Sequence, residues 1–207
     1  NAELPELMEL EYEGFYTAGI FVSAKIGLFG AKKKYALMSE QGTLKIKGFE
    51  TVRRNWSLVA KDAQENVLDI ILRENDTKKA LTYVRNVISD LRDKKIPMDK
   101  VIIHTQLQKE ILDYANKGPH VAVAQRLKNK GRTIGAGSMI KYIVTQGSDM
   151  IRNRSKLPEE VKEGEYDADY YINNQVLPSV ERIFNVLGYK KEDLIELKEQ
   201  TKLGGFF

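Results

Sequence analysis

Residues 166–183 have the sequence YDADYYINNQVLPSVERI, which predicts a long helix. We expect it to run from about Asp167 to Leu187 with a kink at Pro178, because proline cannot donate the main-chain hydrogen bond of a helix interior. Asp167 and Asp169 have the spacing with which some enzymes bind a divalent metal. Residues two apart diverge by about 200° around a helix, however, and capping explains acidic residues at a helix start. The pair is therefore predicted to be structural.

The chain upstream of this stretch is also expected to be largely helical. Apolar residues recur at helical spacing over residues 59–71 and 80–91. The segment Asn75-Asp76-Thr77 separates the two helices and supplies an N-cap for the second. Three further segments complete this part. An apolar stretch over residues 101–107 fits either a helix or a strand, a helix is expected over 118–130 and ends at Gly131, and a strand is expected over 138–147.

The first fifty residues predict strands instead. In LMELEYEGFY (7–16), apolar and acidic residues alternate with the period of two that is typical of a half-buried strand. Further strands are expected over 19–26, 32–38 and 43–49, with a turn at Gly42. The predicted fold class is α+β, a sheet fragment followed by a mostly helical, basic domain.

Composition narrows the classes of protein that remain possible. The 207 residues contain 33 Lys and Arg against 29 Asp and Glu, a net charge of +4 that is compatible with a nucleic-acid partner. There is no cysteine, which excludes disulfides and cysteine-ligated metals, and two histidines are too few for a zinc site without carboxylates. No apolar run reaches the roughly 20 residues that span a bilayer. We expect no membrane association, and expect Asn1 to mark a trimmed start.

The acidic residues of the first predicted strand, Glu9, Glu11 and Glu13, share one face about 7 Å apart. Like charges at this spacing repel unless solvent or cations offset them. On the pattern alone, a solvated sheet face is favoured over a site near a metal ion.

A basic and aromatic cluster, Lys32-Lys33-Lys34-Tyr35, lies inside a predicted strand. A positive strand face suits nucleic-acid phosphates, because lysines displace their counterions. Charged edge strands also protect proteins from aggregation. Arg53 and Arg54 follow at the junction between sheet and helices, and with them the two interpretations, nucleic-acid contact and solvated surface, are evenly balanced.

The last eight residues, QTKLGGFF, predict a docking peptide. On a helical turn Leu203, Phe206 and Phe207 would gather into one apolar plug, and the Gln200 amide could bond at its edge. The two glycines between them disfavour a preformed helix, so the order is expected to be completed on a partner protein.

Several segments together resemble one family in its own order and spacing. They are ELEYEGFY (9–16), KKKYA (32–36), VRRNWS (52–57), IHTQ (103–106), GPHVAVAQRL (118–127), YDADYYINNQVLPSVERI (166–183) and GYKKEDL (188–194). The chain resembles the C-terminal part of archaeal family B DNA polymerases. One departure is AKIGLFGA (24–31), which lengthens the hairpin before Lys32.

The resemblance implies a domain division and a set of site residues. Residues 1–48 would be the edge of the polymerase palm, 49–195 the thumb, and 196–207 a tail that binds the sliding clamp. The implied clamp contacts are Gln200, Leu203, Phe206 and Phe207. The implied DNA contacts are Lys32, Lys33, Lys34, Tyr35, Lys45, Lys47, Arg53, Arg54, His104 and Gln106. Glu11 and Glu13 match carboxylates close to the catalytic metals. The resemblance therefore favours a position near a metal ion, where the pattern alone favoured a solvated sheet face.

The resemblance also implies what other polypeptides supply. The family's catalytic aspartates lie upstream of the matched region, so no catalytic residue and no bound cofactor is expected in this chain alone, with Mg²⁺ acting in the assembled polymerase. The implied role is the small subunit of a two-piece archaeal polymerase, with a large subunit, primer–template DNA and a sliding clamp as partners, in the prokaryotic cytoplasm at the nucleoid. Two alternatives stay open: an excised domain of a single-chain polymerase, and a stand-alone adaptor that binds DNA and the clamp.

Overall fold

The computed structural model describes residues 11–23 and 30–195, with helices and two small antiparallel sheets. The α+β class predicted from the sequence is confirmed. The first sheet consists of β1 (Tyr16–Ser23), β2 (Gly30–Ser39) and β3 (Leu44–Lys47), in the order β1-β2-β3. The predicted turn at Gly42 joins β2 to β3, and its main-chain nitrogen donates to the Ser39 carbonyl at 3.0 Å. The strands predicted over 32–38 and 43–49 are therefore confirmed, as is the described part, 19–23, of the strand predicted over 19–26. Residues 24–26 lie outside the described residues.

The expected strand at the start of the chain is wrong for its described part. Residues 11–15 lie outside any strand, and Tyr12 is 82% exposed where alternation predicted partial burial. Pairing between β1 and β2 begins at Tyr16 opposite Ser39, where β2 ends. Alternation produces a half-buried strand only beside a partner strand, and the described residues offer none here. Glu9 lies outside the described residues.

The first two helices follow the predicted periodicity closely. Helix α1 (Leu58–Asp69) continues into a π-helical turn (Ile70–Glu74), and α2 (Thr77–Arg92) begins directly after Asp76. The Asp76 carboxylate accepts a hydrogen bond from the Lys79 main-chain nitrogen at 2.8 Å. It therefore satisfies one of the free N–H groups of the first turn, as an N-cap does.

A second sheet follows in the middle of the chain. Its strands are β4 (Ile103–Gln106), β5 (Met139–Val144) and β6 (Ser155–Lys156). The helices α3 (Met98–Val101), α4 (Pro119–Asn129) and α5 (Ile151–Arg154) lie before and between them in the chain. The strands pair in the order β4-β5-β6, with His104 opposite Lys141. The stretch whose type the sequence left open thus forms β4, and the helix before Gly131 and the strand over 138–147 are confirmed.

The long helix is interrupted just before Pro178. It consists of α6 (Ala168–Tyr171), a π-helical turn (Ile172–Val176) and α7 (Leu177–Val186), and the separate helix α8 (Lys191–Ile195) follows. A proline in a regular helix loses a hydrogen bond and its ring clashes with the carbonyl four residues earlier. The wider π turn lies where that clash would fall.

The Asp167 carboxylate caps this helix, as predicted for the D-x-D pair. It accepts from the Tyr170 main-chain nitrogen at 3.0 Å and also pairs with Arg154 of α5. Both contacts hold the helix start against neighbouring structure, so Asp167 has a structural role.

One apolar core joins the first sheet to the helices. The inner face of β1, with Ile20 and Val22, packs against α7, and α7 packs against α1. Phe49 and Phe184 are completely buried in the same cluster. Burial of apolar area at about 25 cal/mol per Å² is the main stabilising term of such a core. Among the described residues, no helix has the length and apolar composition needed to cross a bilayer.

Candidate nucleic-acid interface

The outer face of the first sheet combines aromatic and basic side chains. Strand register places its residues in two rows, Phe21–Tyr35–Lys47 and Gly19–Leu37–Lys45. Phe21 is 65% exposed, and its ring centroid lies 5.9 Å from that of Tyr35. Lysines beside exposed aromatic rings can bind phosphates and stack on sugars or bases, so this face is chemically suited to nucleic acid.

Lys33 lies at an irregularity of the same sheet. Pairing between β1 and β2 shifts register between Phe21 and Ser23, and Lys33 has the left-handed backbone angle φ of +60°. Gly48, with φ of +73°, lies directly against it, and a Cβ atom at Gly48 would overlap the Lys33 carbonyl oxygen. The exposed Lys33 side chain is thus held at a bulge that only a glycine neighbour permits. The side chain of Lys32 is outside the described part.

Lys34, a predicted DNA contact, is 5% exposed and lies in the core. It shares the inner face of β2 with Ala36, opposite Tyr35, as strand alternation requires. Its ammonium donates to both carboxylate oxygens of Glu50, at 2.8 and 3.0 Å, and lies 4.9 Å from the centre of the Phe49 ring. In this arrangement Lys34 joins β2 to the start of the helical region.

Glu50 is the acidic partner of this buried pair and is 6% exposed. Burial alone would raise the pKa of its carboxyl, but the hydrogen bonds from Lys34 and Gln64 outweigh it and the pKa is lowered. Gln64 Nε2 lies 2.7 Å from Glu50 Oε2. The buried carboxylate is therefore charged and fully bonded, as a buried ion pair must be to avoid a large desolvation cost.

Lys45 and Glu13 form a second pair, at the surface. The Lys45 ammonium bonds the Glu13 carboxylate and also lies 3.2 Å from the Tyr16 hydroxyl. The hydrogen bond from Lys45 lowers the pKa of Glu13. Glu11 is exposed nearby. In residues 11–23 and 30–195, no three His, Asp or Glu side chains lie close enough together to hold a metal ion.

A cleft of about 380 Å³ brings together three of the residues predicted as DNA contacts, Arg54, His104 and Gln106. Arg54 comes from the connection between β3 and α1, and the other two come from β4. Gln106 Nε2 donates to the Gly137 carbonyl at 3.1 Å, which fixes the amide at the rim. Arg53 is exposed beside Arg54. Arg54 is distant in the sequence from His104 and Gln106, and it meets them only through the fold.

The charge of this region comes from arginine and lysine and not from histidine. Burial, followed by the nearby charges of Lys141 and Lys61, lowers the pKa of His104, and burial lowers that of His120. Both imidazoles are therefore neutral at neutral pH. Within the described part of the chain, no ion pair involves Arg53, Arg54, Lys61 or Lys141. These cations remain available to an anionic ligand.

Sequence reasoning missed several members of this surface. They are Phe21 on the sheet, and Lys61, Tyr114, His120 and Lys141 at or near the cleft. His120 lies in the segment GPHVAVAQRL, but no local pattern in that segment indicates that its side chain contributes to a binding surface. Lys141 becomes a neighbour of His104 only through the pairing of β4 with β5. The predicted clamp contacts Gln200, Leu203, Phe206 and Phe207 lie outside the described residues.

Comparison of the sequence with known proteins identifies the family to which this chain is similar. A family model described as DNA polymerase family B matches residues 1–187. The DNA polymerase of Thermococcus hydrothermalis is 47% identical over all of this chain and 12% of its own length. That of Methanocaldococcus jannaschii is 44% identical, again over all of this chain and 12% of its length.

A solved structure agrees with these relatives. The family B DNA polymerase of Pyrobaculum calidifontis superposes with a TM-score of 0.71 at 32% identity, covering 87% of this chain and 23% of that one. The chain spans only between 10% and 26% of the length of the DNA polymerases that it matches. The chain belongs to DNA polymerase family B.

Proposed function

We propose that this chain holds primer–template DNA as the palm edge, residues 1–48, and the thumb, residues 49–195, of an archaeal DNA-directed DNA polymerase. The observation that supports the proposal is the group of cations in and near the cleft, Arg53, Arg54, Lys61 and Lys141, which form no ion pair within the described residues. An exposed aromatic and basic sheet face lies in the same chain. Cations bind phosphates whatever the sequence, as a polymerase requires of its grip on a duplex.

The mechanism assigned to this chain is positional. Arginine and lysine side chains bind backbone phosphates, and Phe21 and Tyr35 offer flat apolar surface to the edge of the duplex. Holding the primer end in one orientation converts an encounter into a reaction between positioned groups. Because the resemblance places the family's catalytic aspartates upstream of the matched region, we propose that the Mg²⁺ ions of the reaction are held by aspartates of another polypeptide segment.

The proposed DNA contacts are not equivalent. Lys33, Lys47, Arg53 and Arg54 are exposed and form no ion pair in the described residues, and Lys45 would exchange Glu13 for phosphate. Lys34 is already bonded to Glu50. We therefore assign Lys34 a positioning role under the DNA-facing sheet.

Replacing Arg53 and Arg54 together by alanine tests the grip. We expect duplex affinity, measured by fluorescence anisotropy with a labelled primer–template, to fall by about tenfold or more. The slope of log affinity against log salt should decrease by about 1.8, or about 0.9 for each lost phosphate contact.

The matched control is the double variant Lys78→Ala/Arg92→Ala, which removes the same charge from the exposed side of α2. We expect it to keep both affinity and salt slope close to those of the wild type. Equal losses in the two variants would mean that DNA responds only to net charge, and the proposed grip would be rejected.

The finer proposal is that the chain is the small subunit of a polymerase made of two polypeptides. It predicts no primer extension by this chain alone, and extension when a large subunit with the catalytic aspartates is added. Co-purification from native extract separates the alternatives. A stoichiometric large subunit supports the split polymerase, recovery only as part of one longer polypeptide supports an excised domain, and recovery with neither supports a stand-alone adaptor.

We also propose that the tail binds a sliding clamp through Gln200, Leu203, Phe206 and Phe207. Tethering would raise the local concentration of polymerase at the primer end. Deleting residues 200–207 should leave basal extension by the assembled enzyme unchanged and abolish its stimulation by the clamp. Stimulation that survives the deletion would show that the tail is not the clamp contact.

A further inference from the structure

Arg54 of the cleft and its neighbour Arg53 lie on a short connection that has little regular structure of its own. This arginine segment, residues 50–57 between β3 and α1, contains one 3₁₀ turn (Glu50–Val52) and a main-chain hydrogen bond from Arg53 N to Glu50 O at 2.9 Å. Its middle is exposed, and Val52 is 61% accessible. Its ends, Glu50 and Ser57, are buried at 6% and 0%. Contacts at the two ends must therefore set where the middle lies.

The first end is held by a side chain of α1. Gln64, which is completely buried, accepts a hydrogen bond from the Thr51 main-chain nitrogen at 3.0 Å through Oε1. Its amide nitrogen donates to the Glu50 carboxylate at 2.7 Å and also to the Ser179 carbonyl of α7. Gln64 therefore ties the segment to both central helices.

The second end is held from the far end of the chain. Gln175 Oε1 accepts two hydrogen bonds from Ser57, from the main-chain nitrogen at 2.9 Å and from Oγ at 3.1 Å. Gln175 is 7% exposed and lies in the π-helical turn before Pro178. A π turn rotates the residues around it relative to a regular helix. The irregularity near Pro178 thus coincides with the residue that caps the arginine segment.

We propose that Gln64 and Gln175 are positioning residues for the DNA grip, which hold Arg53 and Arg54 in place before DNA arrives. The inference rests on the proposed function of this surface. A segment already held in its bound conformation loses less conformational entropy on binding, so its contacts yield higher affinity. Neither glutamine needs to touch DNA, because both act through the main chain of the segment.

The test combines Gln175→Leu with the double variant Arg53→Ala/Arg54→Ala. Leucine has a similar volume but cannot accept the hydrogen bonds from Ser57. In the wild-type background we expect Gln175→Leu to weaken duplex affinity by about fivefold, because ordering the segment then opposes binding. The salt slope should stay close to that of the wild type, since both arginines still reach their phosphates in the bound state. In the background without the two arginines it should cause no further loss, since the residues it positions are gone.

Tyr171→Phe is the matched control. Tyr171 is buried in α6, one turn before Gln175, and its hydroxyl accepts from the Val144 main-chain nitrogen at 3.1 Å. This variant also removes a buried acceptor of a main-chain N–H group, but away from the arginine segment. We expect it to lower stability comparably and to leave duplex affinity within about twofold of the wild type.

Amide hydrogen exchange in the free protein gives a second measurement. Gln175→Leu should speed exchange at residues 51–57 and leave the middle of α2 unchanged, because the loss of a cap opens its own neighbourhood. If Gln175→Leu fails to fold, Ser57→Ala replaces it. That variant removes one of the two bonds to Gln175 and should weaken affinity by about twofold, again only when the arginines are present.

The outcomes separate this inference from the function on which it rests. If Arg53→Ala/Arg54→Ala leaves affinity unchanged, the proposed grip itself is wrong. If the arginine variant weakens binding but the Gln175→Leu loss is equal in both backgrounds, or absent despite lowered stability, the grip stands and the positioning role is rejected.

Discussion

Lys34→Met should destabilise the protein by about 3–5 kcal/mol, because it leaves the Glu50 carboxylate buried without its cation. The side chains of the pair are 6% and 8% exposed, so water cannot replace the lost ammonium without opening the core. The methionine stem retains most of the packing of lysine. Urea unfolding at neutral pH measures the change, provided that the m-value stays close to that of the wild type.

Lys100→Met is the matched control for this variant. Lys100 pairs with Asp62 at 2.8 Å, the same distance as in the buried pair, but the two side chains are 44% and 40% exposed. An exposed pair contributes at most about 1 kcal/mol. If the two lysine variants lose equal stability, burial is not what makes the Lys34 pair important.

The Lys34→Met variant should also respond to pH in a defined direction. Without Lys34, burial dominates at Glu50 and raises the folded-state pKa of the carboxyl above its unfolded value. Protonation then removes the unpaired charge, so the stability deficit relative to wild type should shrink as the pH falls from neutral through the raised folded-state pKa towards the unfolded-state value. In the wild type the pKa of Glu50 is lowered, so the stabilisation is present above the unfolded-state pKa and is lost only as the pH falls through the folded-state value.

Gly48→Ala should be the second severe substitution, with a loss of roughly 2–5 kcal/mol from backbone conformation and steric overlap together. Gly48 has φ of +73°, which an alanine adopts only at a cost. Its new Cβ atom would overlap the Lys33 carbonyl oxygen, a main-chain atom that cannot move by a side-chain rotation. We expect the bulge at Lys33 to shift and the melting temperature to fall.

Gly131→Ala separates the two causes. Gly131 has a similar φ of +82°, but a Cβ atom there would meet no atom within 4 Å. This control should lose only the conformational term, about 1–2 kcal/mol. If thermal unfolding shows equal losses at the two glycines, the overlap with Lys33 is relieved at no cost, and the bulge is not held by Gly48.

The features that sequence analysis predicted correctly depend on residues close together in the chain. The Asp76 and Asp167 caps each bond a main-chain nitrogen three residues later, and the turn at Gly42 closes over a few residues. Helical periodicity is local in the same sense, since it compares positions within one or two turns. The family resemblance combined many such local matches, and the family model confirms the family, DNA polymerase family B.

The failures and omissions involve partners that lie far apart in the chain. The alternation of residues 9–13 predicted a strand, but a strand needs a neighbour, and within the described residues, which begin at 11, the pairing of β1 with β2 starts only at Tyr16. His104 and Lys141 lie opposite each other only because of the register in which β4 pairs with β5. The bond from Ser57 to Gln175 spans 118 positions, and no pattern within either segment indicates it.

The lysine cluster shows most directly where local pattern ends and tertiary packing begins. Strand alternation places Lys34 on the opposite face from its neighbour Tyr35, and that is what the sheet shows. Which of the two faces meets the core depends on where α7 and the Glu50 carboxylate lie, and those positions are set by packing across the whole chain. Three consecutive lysines are chemically identical in sequence. Only the fold makes Lys33 a surface cation and Lys34 half of a buried ion pair, because burial and a charged partner 16 residues away are properties of the assembled core.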